Sequence, residues 1–350
     1  MSKQAWTAAL AVAALGALSA CNSGPAIVNI AGAGSTFVYP VMTRWIQDFQ
    51  QSHQNVHINY QSIGSGGGIQ QVKAKTVDFG ATDAALTDQQ IAAMFPLIQI
   101  PESAGPVCIT YNLPGLTQPL RLSPESLAGI FLGTIKTWKD PKLAKDNPGV
   151  KLPSVNVIIS HRSEGSGTTN IFTTYLSAVS PDWKSKVGAG PAVSWPTGIG
   201  GKGSEGVTGN IRNSPGAIGY VELTYAEQNH LPTAAIENAA GQYVQPTAAG
   251  TTSAIAAFST QLTQDPRVPI VNPPAAAADA YPISGLTFLI IPKDGPDKAK
   301  RTALKQLIQY IIMDGQATAG TLNYAPLPDG VKQYDQQQLQ QLTADGQPIS

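Results

Sequence analysis

Three times along this chain a strand-like run ends in a glycine-rich turn carrying Ser or Thr and passes straight into a helical stretch. The turns are Gly32-Ala33-Gly34-Ser35-Thr36-Phe37 after residues 27–31, Gly64-Ser65-Gly66-Gly67-Gly68 after 57–63, and Gly165-Ser166-Gly167-Thr168 after 155–160. A repeated strand, tight turn and helix is the building unit of α/β proteins with largely parallel sheets. Further strands are expected at 107–111, 217–223 and 287–291. Between the first two turns, Val38, Val41, Met42, Trp45, Ile46 and Phe49 recur at helical spacing, predicting a helix over 37–51 with Pro40 in its first turn.

Two segments look like crossings between lobes. One is 97–112, an extended run interrupted by a turn at Pro101-Glu102-Ser103-Ala104-Gly105-Pro106; the other is 281–292. If both are hinge strands, 27–113 and 281–350 form lobe I and 114–280 an inserted lobe II. The Ala- and Pro-rich stretch 271–280 reads as a loop before the return crossing, and the Gln-rich tail from Gln333 as a solvated terminal helix. The 350 residues suffice for two domains with full cores.

The N-terminus bears on where the chain works. Lys3 precedes an apolar run over 8–18, the length of a signal-peptide core and too short to span a bilayer. It ends in Leu18-Ser19-Ala20-Cys21, which resembles the bacterial lipoprotein signal. That resemblance implies a signal peptide over 1–20, lipidation of Cys21 and a tether over 21–26, hence a periplasmic or cell-surface protein anchored to a membrane. Stable anchoring takes at least two lipid chains. The other cysteine, Cys108, sits in an apolar strand-like run and reads as a buried free thiol, so packing must supply stability. The 22 basic and 22 acidic residues cancel, which argues against nucleic acid as a partner. Any anion must be recognised locally.

The turns have the chemistry for that. The first backbone N–H groups of a helix lack partners, and the helix dipole adds partial positive charge there. Glycine lets the backbone approach a ligand, and hydroxyls add donors. Ser35, Ser65 and Ser166 could instead be plain helix caps. Two charged residues accompany the turns. Arg162 precedes Gly165 and offers a fork suited to phosphate or carboxylate. Asp83, in Val77-Asp78-Phe79-Gly80-Ala81-Thr82-Asp83, suits an anion that brings its own proton, because a carboxylate can accept a hydrogen bond from P–OH.

These turns, with Pro215-Gly216-Ala217-Ile218-Gly219-Tyr220-Val221, Phe131 to Trp138 and Trp195 to Gly203, resemble the phosphate-binding subunits of phosphate-specific ABC importers. The similarity runs over 29–328. It implies a two-lobed periplasmic-binding-protein fold of type II, with inorganic phosphate in the cleft and the membrane permease and ATPase subunits of an importer as partners. It implies no cofactor and no metal. Position by position, it implies Thr36, the Phe37 amide, Ser65 and Asp83 as phosphate contacts from one lobe, and Arg162, Ser166, Gly167 and Thr168 from the other. Glu164 departs from the family's Asp and would hold Arg162 with a different reach.

Other chemistries fit less well. A Ser166 nucleophile would need a base, and His161 is the one histidine near it in sequence; neither a G-x-S-x-G elbow nor an S-x-x-K motif is present. The four histidines form no metal-ligand spacing. Gly198 to Gly203 matches a dinucleotide fingerprint by letter but follows Trp195-Pro196. The expectation is therefore a binding protein, not an enzyme. The alternative ligand is another tetrahedral oxyanion such as sulfate, which has no proton at neutral pH and would confront Asp83 charge against charge.

Overall fold

The protein is described by a computed structural model covering residues 26–349. The signal segment 1–20, Cys21 and most of the expected tether lie outside the described residues. Thirteen strands are described: β1 (Val28–Gly34), β2 (Val56–Ser62), β3 (Phe79–Thr82), β4 (Leu97–Tyr111), β5 (Arg121–Leu122), β6 (Ile158–Arg162), β7 (Ile199–Gly201), β8 (Ala217–Glu222), β9 (Ala235–Glu237), β10 (Tyr243–Val244), β11 (Ser284–Pro292), β12 (Thr343–Ala344) and β13 (Gln347–Pro348).

Eight of them run in the order β2-β1-β3-β11-β4-β8-β6-β7. The sheet divides along one strand. Over Leu97–Pro106, β4 pairs antiparallel with β11; over Val107–Tyr111 it pairs antiparallel with β8. On one side of the seam β1 is parallel to β2 and β3, and on the other β6 is parallel to β7 and β8. All residues of β4 are buried. The second crossing lies beside it, where the Val107 amide donates to the Ile283 carbonyl at 2.8 Å and the Tyr281 hydroxyl to the Val107 carbonyl at 3.1 Å.

The expected turn at Pro101 to Pro106 is thus replaced by continuous strand. Proline cannot donate to a ladder, but the strand carries a bulge at this point: the register steps from Thr287↔Ser103 to Phe288↔Pro101 and leaves Glu102 unpaired. The strand expected at 27–31 also runs further, to Gly34. The strand expected at 155–160 starts later, at Ile158, because Val157 is held by the Lys136 carbonyl outside the ladder.

The helix expected at 37–51 spans Tyr39–Ser52 and buries Val41, Met42, Trp45 and Phe49. The Trp45 indole N–H is satisfied by the Gly315 carbonyl at 2.7 Å, so the ring is buried without an orphaned donor. Each large apolar side chain so buried contributes roughly 2 kcal/mol. Cys108 is a fully buried free thiol in β4. The Gln-rich tail is only partly solvated: the helix Asp329–Leu339 buries Val331, Asp335 and Leu339, and the β12–β13 hairpin follows it. Ile255, Leu262 and Ile270 cluster with Leu286, Phe288 and Val331, so the stretch before the return crossing packs against β11 and the C-terminal helix. Among the described residues no helix is long and apolar enough to cross a membrane.

Candidate anion-binding site

The parallel strands on both sides of the seam end at the same place. β1 ends at Gly34, β3 at Thr82 and β6 at Arg162. The helices that follow β1, β2 (which ends at Ser62) and β6, namely Tyr39–Ser52, Ser65–Lys73 and Gly167–Val179, therefore begin there, Asp83 follows β3, and a fourth helix, Gly203–Asn213, begins after β7. Helix N-termini brought together carry partial positive charge and free N–H groups, a setting for an anion.

The second and third glycine turns touch directly. The Gly66 amide donates to the Gly165 carbonyl at 2.9 Å, and the Ser65 hydroxyl oxygen accepts from the Gly167 amide at 3.1 Å and the Asp83 amide at 3.3 Å. A Cβ on Gly167 would sit 2.5 Å from the Asp83 nitrogen, so only glycine allows this approach. Gly64, at φ +87°, takes the left-handed turn that starts the helix Ser65–Lys73. Thr168 donates its hydroxyl to Asp83 Oδ2 at 3.3 Å and takes Arg162 Nη1 at 3.5 Å.

Asp83 is 4% exposed. Burial pushes its carboxyl up to about 6, against the pull of donors from Ser35, Thr287 and Thr168 and of the Arg162 charge. Ser35 donates its hydroxyl to Asp83 Oδ1. The Ser35 hydroxyl oxygen in turn accepts from the Phe37 amide at 3.0 Å. The amide expected to face an anion is therefore closed into a local turn with Ser35. Arg162 is buried, and its guanidinium is held by Glu164 through Nε at 2.8 Å and through Nη2. Glu164 is itself fixed by the Gly203 amide at 3.1 Å. A buried arginine held by one carboxylate keeps Nη1 for a second partner.

The eight sequence-expected residues do not stand alike. Ser65, Asp83, Arg162, Gly167 and Thr168 form one hydrogen-bonded cluster. Thr36 lies beside it, its hydroxyl paired with Ser204 at 2.9 Å and its carbonyl accepting from the Tyr225 hydroxyl at 2.7 Å. Ser166 caps its helix by accepting from the Thr169 amide at 3.1 Å, and its own amide is used by Pro191. It keeps one hydroxyl proton to donate. Four contributors escaped the sequence reading: Ser35 as a donor to Asp83, Thr287 beside it, Ser204 on Thr36, and Tyr220, whose hydroxyl takes the Arg162 amide at 3.1 Å. Ser35 stands in the first glycine turn, Tyr220 in the Pro215 to Val221 motif and Ser204 next to the Trp195 to Gly203 segment, but no sequence signal pointed to these roles, and Thr287 was expected only as a strand residue. His161 is turned from the cluster, its ring stacked on Trp195 at 4.9 Å.

Among the described residues no group of three or more His, Cys, Asp or Glu is placed to hold a metal ion.

Comparison with known proteins bears on both fold and family. A family model described as the PBP superfamily domain matches residues 19–314. A phosphate-binding protein PstS of Xylella fastidiosa is 44% identical over 310 residues, covering 88% of this chain and 84% of the relative. One from Pasteurella multocida is 42% identical, covering 89% of each, and one from Methanocaldococcus jannaschii 37%, covering 89% and 85%. Among solved structures, a phosphate-binding protein from Stenotrophomonas maltophilia matches with a TM-score of 0.66 at 17% identity, covering 89% of this chain and 93% of that one. A periplasmic phosphate-binding protein of the DING type, solved with phosphate, matches with a TM-score of 0.69 at 22% identity, covering 88% and 93%. These likenesses carry the two-lobed α/β fold that the seam in β4 builds. By its sequence and its fold the chain belongs to the PBP superfamily, in the family of the PstS phosphate-binding proteins.

Proposed function

We propose that the chain binds inorganic phosphate outside the cytoplasm and delivers it to the permease and ATPase subunits of an ABC importer. The observation that carries this reading is the buried pairing of Asp83 with the Arg162–Thr168 cluster across the seam of the sheet. One charge-assisted acceptor and one guanidinium, set among helix N-termini, suit a tetrahedral anion that both accepts and donates hydrogen bonds. The relatives named as phosphate-binding proteins support the same ligand. The contacts proposed are Thr36, the Phe37 amide, Ser65, Asp83, Arg162, Ser166, Gly167 and Thr168. Releasing the Phe37 amide requires the Ser35 hydroxyl to turn away.

The two lobes of this reading are 27–113 with 281–350, and 114–280, with the stretch around Ile255 to Ile270 strapped onto the first. Donors stand on both lobes, so phosphate favours the closed arrangement by its greater affinity for it. Cys21 is the proposed lipid attachment, tethering the protein at the periplasmic or outer surface of a membrane. The Ser166 hydroxyl oxygen caps a helix, and the role proposed is binding without catalysis.

Phosphate titration followed by the fluorescence of the five tryptophans tests the reading. Wild type is expected to give a saturable change. Arg162→Ala, which removes the one guanidinium of the cluster and leaves the half-buried Glu164 without its partner, is expected to lose on the order of a hundredfold or more in affinity. No response in wild type, or an equal response in both proteins, would sink the proposal.

A further inference from the structure

Behind Asp83 lies a second carboxyl that the phosphate reading does not use. Glu102 is the extra residue of the bulge in β4, with no partner across the ladder, and its carbonyl is held by the Gln316 side chain at 2.9 Å. The bulge turns its side chain into the protein, where it is fully buried. One carboxyl oxygen, Oε1, accepts the Thr287 hydroxyl at 3.1 Å; the other, Oε2, has no partner in the structure. An ionised carboxylate with one oxygen orphaned in a dry interior is costly, whereas a carboxylic acid is tolerated there.

Thr287 links the two acids. Its hydroxyl serves Glu102 and also helps to hold the Asp83 charge. A hydroxyl has one proton to donate. If Glu102 is neutral it holds that proton weakly and leaves Thr287 free to turn toward Asp83; if it ionises, it keeps the proton and adds a like charge behind the anion. The titratable neighbours are Asp83, at the end of β3, and Tyr60, on β2, with Arg162 beyond Asp83. Burial, then the charges of Glu102 and Asp83, holds the Tyr60 phenol in its neutral form, and its hydroxyl donates to the Ser35 carbonyl at 2.9 Å. No cation lies among the groups that act on Glu102 in the described residues.

We propose that Glu102 is a positioning and specificity residue of the anion site: an acid kept protonated behind Asp83, which leaves Asp83 the single negative charge facing the ligand. The inference rests on the phosphate reading above. Burial, with the Asp83 charge adding to it, pushes the Glu102 carboxyl up to about 8, so it is neutral at pH 7 and ionises in mild alkali. Binding then weakens as pH rises through that value, over and above the change in the phosphate ion itself.

The test is calorimetry with inorganic phosphate on the full chain and on Glu102→Gln. The ligand's own ionisation is common to both proteins and cancels. Between about pH 7 and about pH 9 the wild type is expected to lose about tenfold more affinity than Glu102→Gln. The infrared band of a protonated carboxyl supplies a second readout in ligand-free wild type. Glu222 and Asp335 are also buried acids with raised pKa, so the Glu102 band is assigned by its shift in Thr287→Val. It is expected at pH 7 and fading by pH 9. The proposal is overturned if wild type binds phosphate but Glu102→Gln shares its pH profile, or if no Thr287-sensitive band exists. If wild type binds no phosphate at either pH, the phosphate reading falls, and a Thr287-sensitive band would then mark Glu102 as merely structural.

Discussion

Burial and neighbouring donors pull the Asp83 carboxyl in opposite directions, and its pKa of about 6 records that burial wins. The group is an acid with a folded value above its ordinary one near 3.9, so the fold loses stability as pH rises through that interval. In the proposed reading Asp83 is charged at neutral pH, and an oxyanion that carries a proton relieves that charge by donating a hydrogen bond. Asp83→Asn removes the charge. Phosphate is expected to bind that variant more weakly, by about tenfold to a hundredfold, the worth of a hydrogen bond to a charged group. Sulfate is expected to bind it more tightly than it binds wild type. Competition calorimetry reads both, and a variant whose phosphate-to-sulfate ratio matches wild type would show that Asp83 does not discriminate. Arg162, Glu164 and Asp83 could be singled out in the sequence because a charge shows its chemistry without its partner and the motifs that carry them resemble those of a known family. Ser35 and Thr287 were not, because a hydroxyl carries no sign of its partner until the chain folds. The double role of Ser35, donating to Asp83 while accepting from Phe37, depends on a contact 48 residues away in sequence.

At the scale of elements, the strand–turn–helix units were readable from composition alone, because glycine and Ser/Thr punctuate apolar runs. Their ends were less so. β1 runs through Gly32 and Gly34 since the Phe79 ring lies where a side chain on Gly32 would be. The extended run at 97–112 was read, but its continuity was hidden by Pro101 and Pro106, which read as a turn; the bulge at Glu102 and pairing on both flanks keep the chain extended. Close approach of the glycine turns is the element-level requirement of the site. Gly167→Ala puts a methyl group against the Asp83 backbone, at 2.5 Å from its nitrogen and 2.6 Å from its Cα. Neither atom can yield as a flexible side chain would. The variant is expected to keep its thermal stability within a few degrees, since the lobes can stay apart, and to lose at least tenfold in phosphate affinity. Small-angle scattering should show it more extended than wild type in saturating phosphate. Equal compaction of the two proteins would mean that the turns need not touch.

Across the whole molecule, charge balance puts recognition into the cleft and not into a surface field. The chain carries 22 basic and 22 acidic residues, so long-range attraction of an anion is weak and selection falls to buried groups. The two halves share β4, which pairs with β11 on one side of Pro106 and with β8 beyond it, and the return crossing runs alongside. In the proposed reading the halves open about this seam, and the contacts Gly66–Gly165, Ser65–Gly167 and Asp83–Thr168 are the ones that would close over phosphate. The proposed site thus brings together residues more than eighty positions apart. The central claim is that this closed cleft selects an oxyanion carrying a proton. Calorimetry of the wild-type chain with phosphate and with sulfate at neutral pH tests it most directly. The account predicts one phosphate per chain and sulfate weaker by about a hundredfold or more; equal affinity for the two anions would contradict it.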